Sequence, residues 1–370
     1  RTGCTGIPSN ATAVTGNITV VPGTTGGYLT LFPSSATQPT VANSNFKPQE
    51  VTNNVFTVGL GAADGAFKIF TSATTEAIVD VTGYYAPPGT GGLYFHPLSE
   101  PVRLLETRTG QGLAGCIKPG APLPAGQDFE VQGRSPLNAP CSAIPATAQV
   151  LVGNATTVLP SLLGFLTIYP SDAVRPLVAS SNYAGGDVIN GPFAVKLGAD
   201  GKFKVFTPAT TDLVIDILGY YSADAVDANG AGLLFNSLSK PVRLLETRPD
   251  FPGLPLTGCF RTNAPIPAGL MGIRVQPAWG LCDGLTIPNS ARAIVGNATV
   301  VNPLSAGFMT FYPGNVATAP TVATSNYPFP VVFGYNRHYF VGLSPTDGTF
   351  KVLTQFTTDL IVDVSGYFAP

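Results

Sequence analysis

Apolar positions in this chain come in short runs, broken every few residues by Gly, Pro, Asp or Asn, and no stretch keeps a helical period. The runs 149–158, 164–169, 193–197, 203–207 and 213–221 are rich in Val, Ile, Phe, Tyr and Thr, the composition of strands. Period two sorts their faces. In 213–221 it groups Asp216 with Val214 and Leu218, so the acid points into an apolar layer. Runs 28–32, 165–169 and 308–312 are apolar on both faces, with Tyr28 and Phe32, Phe165 and Tyr169, and Phe308 and Tyr312 aligned as candidate interface aromatics. A half-wet sheet would show a polar face there. Three covers are open for the second face: loops, a neighbouring unit or chain, or none, leaving an aromatic ladder for sugar rings.

These elements repeat. Gly-Asn-x-Thr-x-Val begins at Gly16, Gly153 and Gly296, and Asp-x-x-Gly-Tyr-aromatic closes around Gly83, Gly219 and Gly366. Offsets of 137 and 143 residues at the opening, and 136 and 147 at the close, define a tandem array whose shared residues are architecture before they are chemistry. A second block precedes the last two cores: Pro-Val-Arg-Leu-Leu-Glu-Thr-Arg at 101–108 and 241–248, then a Gly/Pro-rich loop with one cysteine and a short strand at 128–132 or 272–276. About eight strands per unit suit an antiparallel sandwich. The expected fold is all-β: three tandem jelly-roll-like β-sandwich domains over 1–87, 88–222 and 223–370, the first lacking its opening strands. Propeller blades repeat roughly every 40–50 residues, and these units are too long to be single blades. Asp64-Gly65, Asp200-Gly201 and Asp347-Gly348 predict a type I′ hairpin with both central residues at positive φ. The alternate oxygen ligands of a calcium loop are missing.

Composition narrows the function. Charged residues are 11% of the 370, against roughly 25% in ordinary domains, and the net charge is −2 with no basic cluster, which argues against nucleic acid and anionic membranes. No apolar run approaches the roughly 20 residues of a membrane helix. A chain so poor in charge either hides surface against a partner or is a sparsely charged extracellular monomer. Cys116 and Cys141, and Cys259 and Cys282, recur at matching places and predict two bridges within units, hence an oxidising, exported setting. Cys4 matches the second cysteine of each pair but has no first one, so its partner lies upstream or in another chain. No signal peptide is visible, since Arg1 opens directly into a unit, which fits a processed or truncated start. His96 and His338 lie outside every repeated motif, and no nucleophile recurs beside them, so no catalytic residue, metal or cofactor is expected.

The charged residues that recur in the opening and closing motifs are Arg103, Glu106 and Arg108, their copies Arg243, Glu246 and Arg248, and the strand acids Asp80, Asp216 and Asp363. They could line a polar pocket for a sugar or anion. A buried carboxylate requires a partner, however, and an arginine fork is the best available, so structural ion pairs of Arg103 and Arg108 with Asp216, and of Arg243 and Arg248 with Asp363, are the favoured expectation. Asn10, Asn17, Asn154 and Asn297 each head a glycosylation sequon. The last three begin core strands, where a glycan would clash, and read as hydrogen-bonding residues.

Taken together, residues 103–108, 154–156, 164–170, 197–201 and 215–221 resemble a repeat of exported bacterial cell-surface and cell-wall-associated proteins: Arg-Leu-Leu-Asp-Thr-Arg, Asn-Val-Thr, Gly-Phe-Leu-Thr-x-x-Pro, Leu-Gly-x-Asp-Gly and Val-Asp-Val-x-Gly-Tyr-Phe. Glu106 stands where the repeat has Asp. The resemblance implies an exported protein and little more about role. Two functions follow as expectations. One is a non-catalytic extracellular subunit of a surface filament, sheath or fibre, a homopolymer growing head to tail. The other is a module binding cell-wall polysaccharide. Three cores share only two opening blocks, so the first unit is expected to be completed by a strand from a neighbouring chain or from residues upstream.

Overall fold

The computed structural model describes residues 6–89, 91–110, 112–250, 256–332 and 334–370. Strands form where the β-branched and aromatic runs lie, and among the described residues no sheet contains strands of more than one unit. In the first unit β1 (Ala13–Pro22), β2 (Gly27–Pro33), β3 (Ser44–Phe46), β4 (Thr52–Gly59), β5 (Phe67–Thr71) and β6 (Thr75–Tyr85) make the sheets β4-β1-β6 and β3-β2-β5. The second adds a long first strand, β7 (Tyr94–Glu106), and a short β8 (Asp128–Gln132), followed by β9 (Val150–Val158), β10 (Gly164–Pro170), β11 (Ser181–Tyr183), β12 (Val188–Lys196), β13 (Lys202–Phe206) and β14 (Asp212–Ser222). Its sheets are β12-β9-β14-β7 and β11-β10-β13-β8.

A small hairpin, β15 (Val226–Asp227) and β16 (Gly230–Ala231), leads into the third unit. There β17 (Leu234–Glu246), β18 (Phe260–Arg261), β19 (Arg274–Pro277), β20 (Gly280–Cys282), β21 (Leu285–Ile287), β22 (Ala293–Val301), β23 (Gly307–Pro313), β24 (Ser325–Tyr327), β25 (Tyr335–Gly342), β26 (Thr349–Thr354) and β27 (Asp359–Ala369) follow. The two main sheets are β18-β17-β27-β22-β25 and β19-β26-β23-β24, with β20 and β21 as a separate pair.

Within each unit the two main sheets share an apolar core. In the second unit Leu151, Ile215 and Ile217 of one sheet pack in a cluster with Leu166, Phe203 and Val205 of the other. The chain is thus all-β, built of small antiparallel sheets, but its units are not strung in a row. Six sheets gather about one centre in three pairs, an arrangement of six blades that reads as a propeller and corrects the expectation of three tandem sandwiches. The repeat-length argument failed because each repeat carries two sheets. It therefore spans two blades of about half its length.

The Asp-Gly turns also differ from expectation. Only Gly65, Gly201 and Gly348 have positive φ, at 59°, 77° and 66°. The turn joins strands in different sheets, such as β12 and β13, so it is a corner and not a type I′ hairpin. Its aspartate side chain folds back instead: Asp200 Oδ1 accepts from Lys202 N at 3.0 Å and from Ser171 Oγ.

Candidate functional site

The opening and closing motifs of a unit meet in adjacent strands. Asn17 pairs across the sheet with Asp80, Asn154 with Asp216, and Asn297 with Asp363. The preceding glycine allows this approach, since a Cβ on Gly153 would lie 2.2 Å from Asp216 O. On the other side β7 sets Arg103 opposite Asp216, and β17 sets Arg243 opposite Asp363.

The side chains form a four-member chain. Arg103 Nε donates to Asp216 Oδ1 at 2.9 Å and Nη2 to Oδ2 at 3.3 Å, while Nη1 reaches Glu106 Oε2 at 3.3 Å. Arg108 clamps Glu106 with bonds of 2.8 and 2.7 Å. Arg243, Asp363, Glu246 and Arg248 repeat the arrangement, with Arg243 Nε to Asp363 Oδ1 at 2.9 Å and Arg248 Nη2 to Glu246 Oε2 at 2.7 Å. Arg108 and Arg248 therefore pair with the motif glutamates, not with the strand acids; Glu106 and Glu246, both fully buried, are the links the ion-pair expectation left out. Burial is the largest influence on Asp216 and Asp363 and raises both, with the arginines offsetting part of it. Burial also works to raise Glu106, but Arg108 and Arg103 hold it below its ordinary value.

The strand acids do not point into the layer between a unit's own sheets. Asp216 Oδ2 accepts from Ala323 N of the third unit at 3.3 Å, so its face is the junction between units. The sequon asparagines lie on the same face. Asn17 Nδ2 donates to Ala179 O at 2.8 Å, Asn154 Nδ2 to Ala323 O at 3.2 Å, and Asn297 Nδ2 to Ala42 O at 2.6 Å. First unit binds second, second binds third, third binds first. A second ring follows the same direction: Asn53, Asn190 and Asn336 accept from the backbone N of Asn182, Asn326 and Asn45 at 3.0, 2.7 and 2.8 Å. These contacts close the three units into a pseudo-threefold ring. The receiving segments share a pattern that the strand reading passed over, Val-Ala-x-Ser-Asn-aromatic from Val41, Val178 and Val322.

At the centre the last aromatics of the three closing motifs converge. Tyr85 and Tyr221 share a hydroxyl hydrogen bond of 2.7 Å, and the Tyr85 ring lies 6.1 Å from that of Phe368. Phe95 and Phe235, from the head of β7 and β17, pack into the same cluster. Burial pushes the Tyr85 hydroxyl up to about 12.

The remaining expected residues fall as follows. Cys116 is bonded to Cys141 and Cys259 to Cys282; Cys4 lies outside the described residues. The aromatic face of β2, β10 and β23 is covered by the loop that follows each strand: Thr30 Oγ1 donates to Val41 O, Thr167 to Val178 O and Thr310 to Val322 O. Beneath these loops Phe32, Tyr169 and Tyr312 are buried, Phe165 and Phe308 are half-buried, and only Tyr28 is exposed. His96 stacks on Tyr220, with Nε2 2.9 Å from Asp224 O. His338 Nε2 lies 3.1 Å from Thr57 Oγ1 across the junction of the third and first units, and burial pushes its imidazole down to about 3. Among the described residues no three His, Cys, Asp or Glu side chains cluster as metal ligands, and no helix is long and apolar enough to cross a membrane.

No known protein family and no curated protein matches this chain. Among solved structures, a chain from the atomic structure of Sulfolobus turreted icosahedral virus is 11% identical, over 97% of this chain and 82% of its own, at a TM-score of 0.18. A chain described with a triple jelly roll fold and turret assembly in an archaeal virus is 10% identical, over 98% and 80%, also at 0.18. Likeness at that level carries no argument about fold or role.

Proposed function

We propose that this protein is a non-catalytic extracellular structural protein, a subunit of a surface filament, sheath or fibre whose copies meet through their β-domains. The observation that carries it is where the recurring polar chemistry goes. In the second and third units the recurring charges of the opening and closing motifs are held in an ion chain tying first strand to last, and the recurring asparagines tie unit to unit. Two internal disulfides fit an exported protein. The alternative, a polysaccharide-binding module, draws on the aromatic faces of β2, β10 and β23, and most of those rings lie under loops.

Electron microscopy of native material from the cell surface, with light scattering of the purified chain, tests the proposal. Regular filaments or sheets containing this protein are expected. A protein that stays monomeric at high concentration and binds insoluble wall polysaccharide would overturn it.

A further inference from the structure

The first unit is built like the others but for one flank. In the second unit β14 has β9 on one side and β7 on the other, and in the third β27 lies between β22 and β17; among the described residues their counterpart β6 pairs with β1 alone. The outer sheet is short in the same place, because β13 and β26 have β8 and β19 as second neighbours whereas β5 has only β2 among the described residues. Two adjacent sheet edges are therefore open side by side, with free backbone donors and acceptors.

The side chains along that flank are those of an occupied one. Ile78 and Val81 are 53% and 40% exposed, while their counterparts Val214 and Ile217, and Ile361 and Val364, are buried. On the outer sheet Ile69 is 43% exposed where Val205 and Val352 are fully buried. Asp80 holds the place of Asp216 and Asp363 but has no arginine partner among the described residues, and partial burial raises its carboxyl. Gly83 holds the place of Gly219 and Gly366. A Cβ on those two would meet the rings of Phe95 at 2.8 Å and Phe235 at 2.5 Å, whereas on Gly83 it would meet only Thr15 Cγ2 at 3.3 Å. Next to it opens a groove of about 760 Å³ lined by Tyr84, Tyr85, Tyr221 and Phe235. Phe95 of the second unit packs on Phe368 of the third, and Phe235 of the third on Tyr85 of the first, so the missing aromatic would fall beside Tyr221 of the second.

We infer that the β6–β5 flank is an acceptor for a strand donated by a polypeptide outside these 370 residues, one that carries a third copy of the opening block. The filled units dictate its register. An aromatic lies opposite Tyr85, a small residue or proline opposite Gly83, valine opposite Val81, arginine opposite Asp80, leucine opposite Val79 and glutamate opposite Ile78. A short following strand covers β5. The chain's own blocks are not free to serve, since β7 and β17 are already paired with β14 and β27 and are pinned by their ion chains. The acceptor stands apart from the assembly proposed above, and rests on that reading only for the donor being part of another subunit.

The probe is a synthetic peptide with the sequence of residues 94–108, added to the intact chain. Binding measured by fluorescence anisotropy should coincide with slowed amide exchange across 75–85. Gly83→Ala is the discriminating variant. A methyl group on Gly83 meets only the side-chain methyl of Thr15, at 3.3 Å, a contact that a shift of a few tenths of an ångström relieves, so the fold should persist; the methyl occupies the donor aromatic's seat and should weaken binding at least tenfold. A peptide carrying Arg103→Glu, which sets a carboxylate against Asp80, should lose at least as much. Unchanged exchange over 75–85 at saturating peptide, binding indifferent to Gly83→Ala, or a peptide-free dimer that already protects 75–85 would each overturn the inference. Peptide capture without native filaments would sink the structural role and leave the acceptor standing; filaments without peptide capture would do the reverse.

Discussion

Asp216 and Asp80 occupy the same position in two units, and only one of them has a partner. Removing one member of a buried ion pair leaves the other desolvated and uncompensated, which costs more than the pair contributes. Asp216→Ala would strand Arg103 beside Glu106 and should destabilise the protein by about 3–5 kcal/mol. Asp80→Ala breaks no ion pair among the described residues and should stay within about 0.5 kcal/mol, as surface substitutions do. Denaturant unfolding of both variants checks the contrast, and equal losses would contradict the ion-chain account. This arrangement was readable in the sequence, because period two places Asp216 among apolar neighbours and recurrence singles out the arginines. Glu106 was visible as a recurring charge, but its role was not: a motif does not say which of two carboxylates a second arginine will clamp.

At the scale of the element, Gly219 and Gly366 show a strand made to receive an aromatic ring from its neighbour. Gly366→Ala places a methyl group 2.5 Å from the Phe235 ring, an overpacking that should cost about 1–3 kcal/mol and lower the melting temperature measurably. A melting temperature equal to the parent's would mean the β17–β27 packing is looser than its geometry. The strands themselves were largely legible. β9, β10, β13 and β14 follow their apolar runs to within a residue or so at each end. β12 begins at Val188, five residues earlier than its run suggested, because Asn190, Gly191 and Pro192 read as breakers. As an edge strand it can hold a proline without losing a ladder bond. β3, β11 and β24, three residues each, are too short to carry a period, and the Asp-Gly signature is the same whether the chain turns back within a sheet or crosses to another.

For the whole molecule, the closing of three units upon one another was the least legible feature, since it depends on contacts made across more than a hundred residues. Triplication of Val-Ala-x-Ser-Asn beside Gly-Asn-x-Thr was the available signal, and its meaning needed the two to be seen touching. His338 gives the closure a measurable pH dependence. Its folded pKa of about 3 lies below the ordinary 6.5, so on acidification the unfolded chain takes up the proton first. The stability it contributes is fully present above about pH 6.5 and is lost as pH falls toward 3, by up to about 1.4 kcal/mol per pH unit. The raised Asp216 and Asp363 act in the opposite sense at the acid end. Urea unfolding at pH 7 and pH 4.5 should show a smaller difference for His338→Gln than for the parent, and an identical difference would remove His338 from the account.

A ring of three identical chains would repeat any open flank three times or lack it altogether. Joining the three units covalently lets one of them differ, and here the open flank occurs once. In the language of polymer chemistry the molecule is univalent at that face. Joints made there can cap an end but cannot branch, so crowding such subunits together would yield no gel through that face.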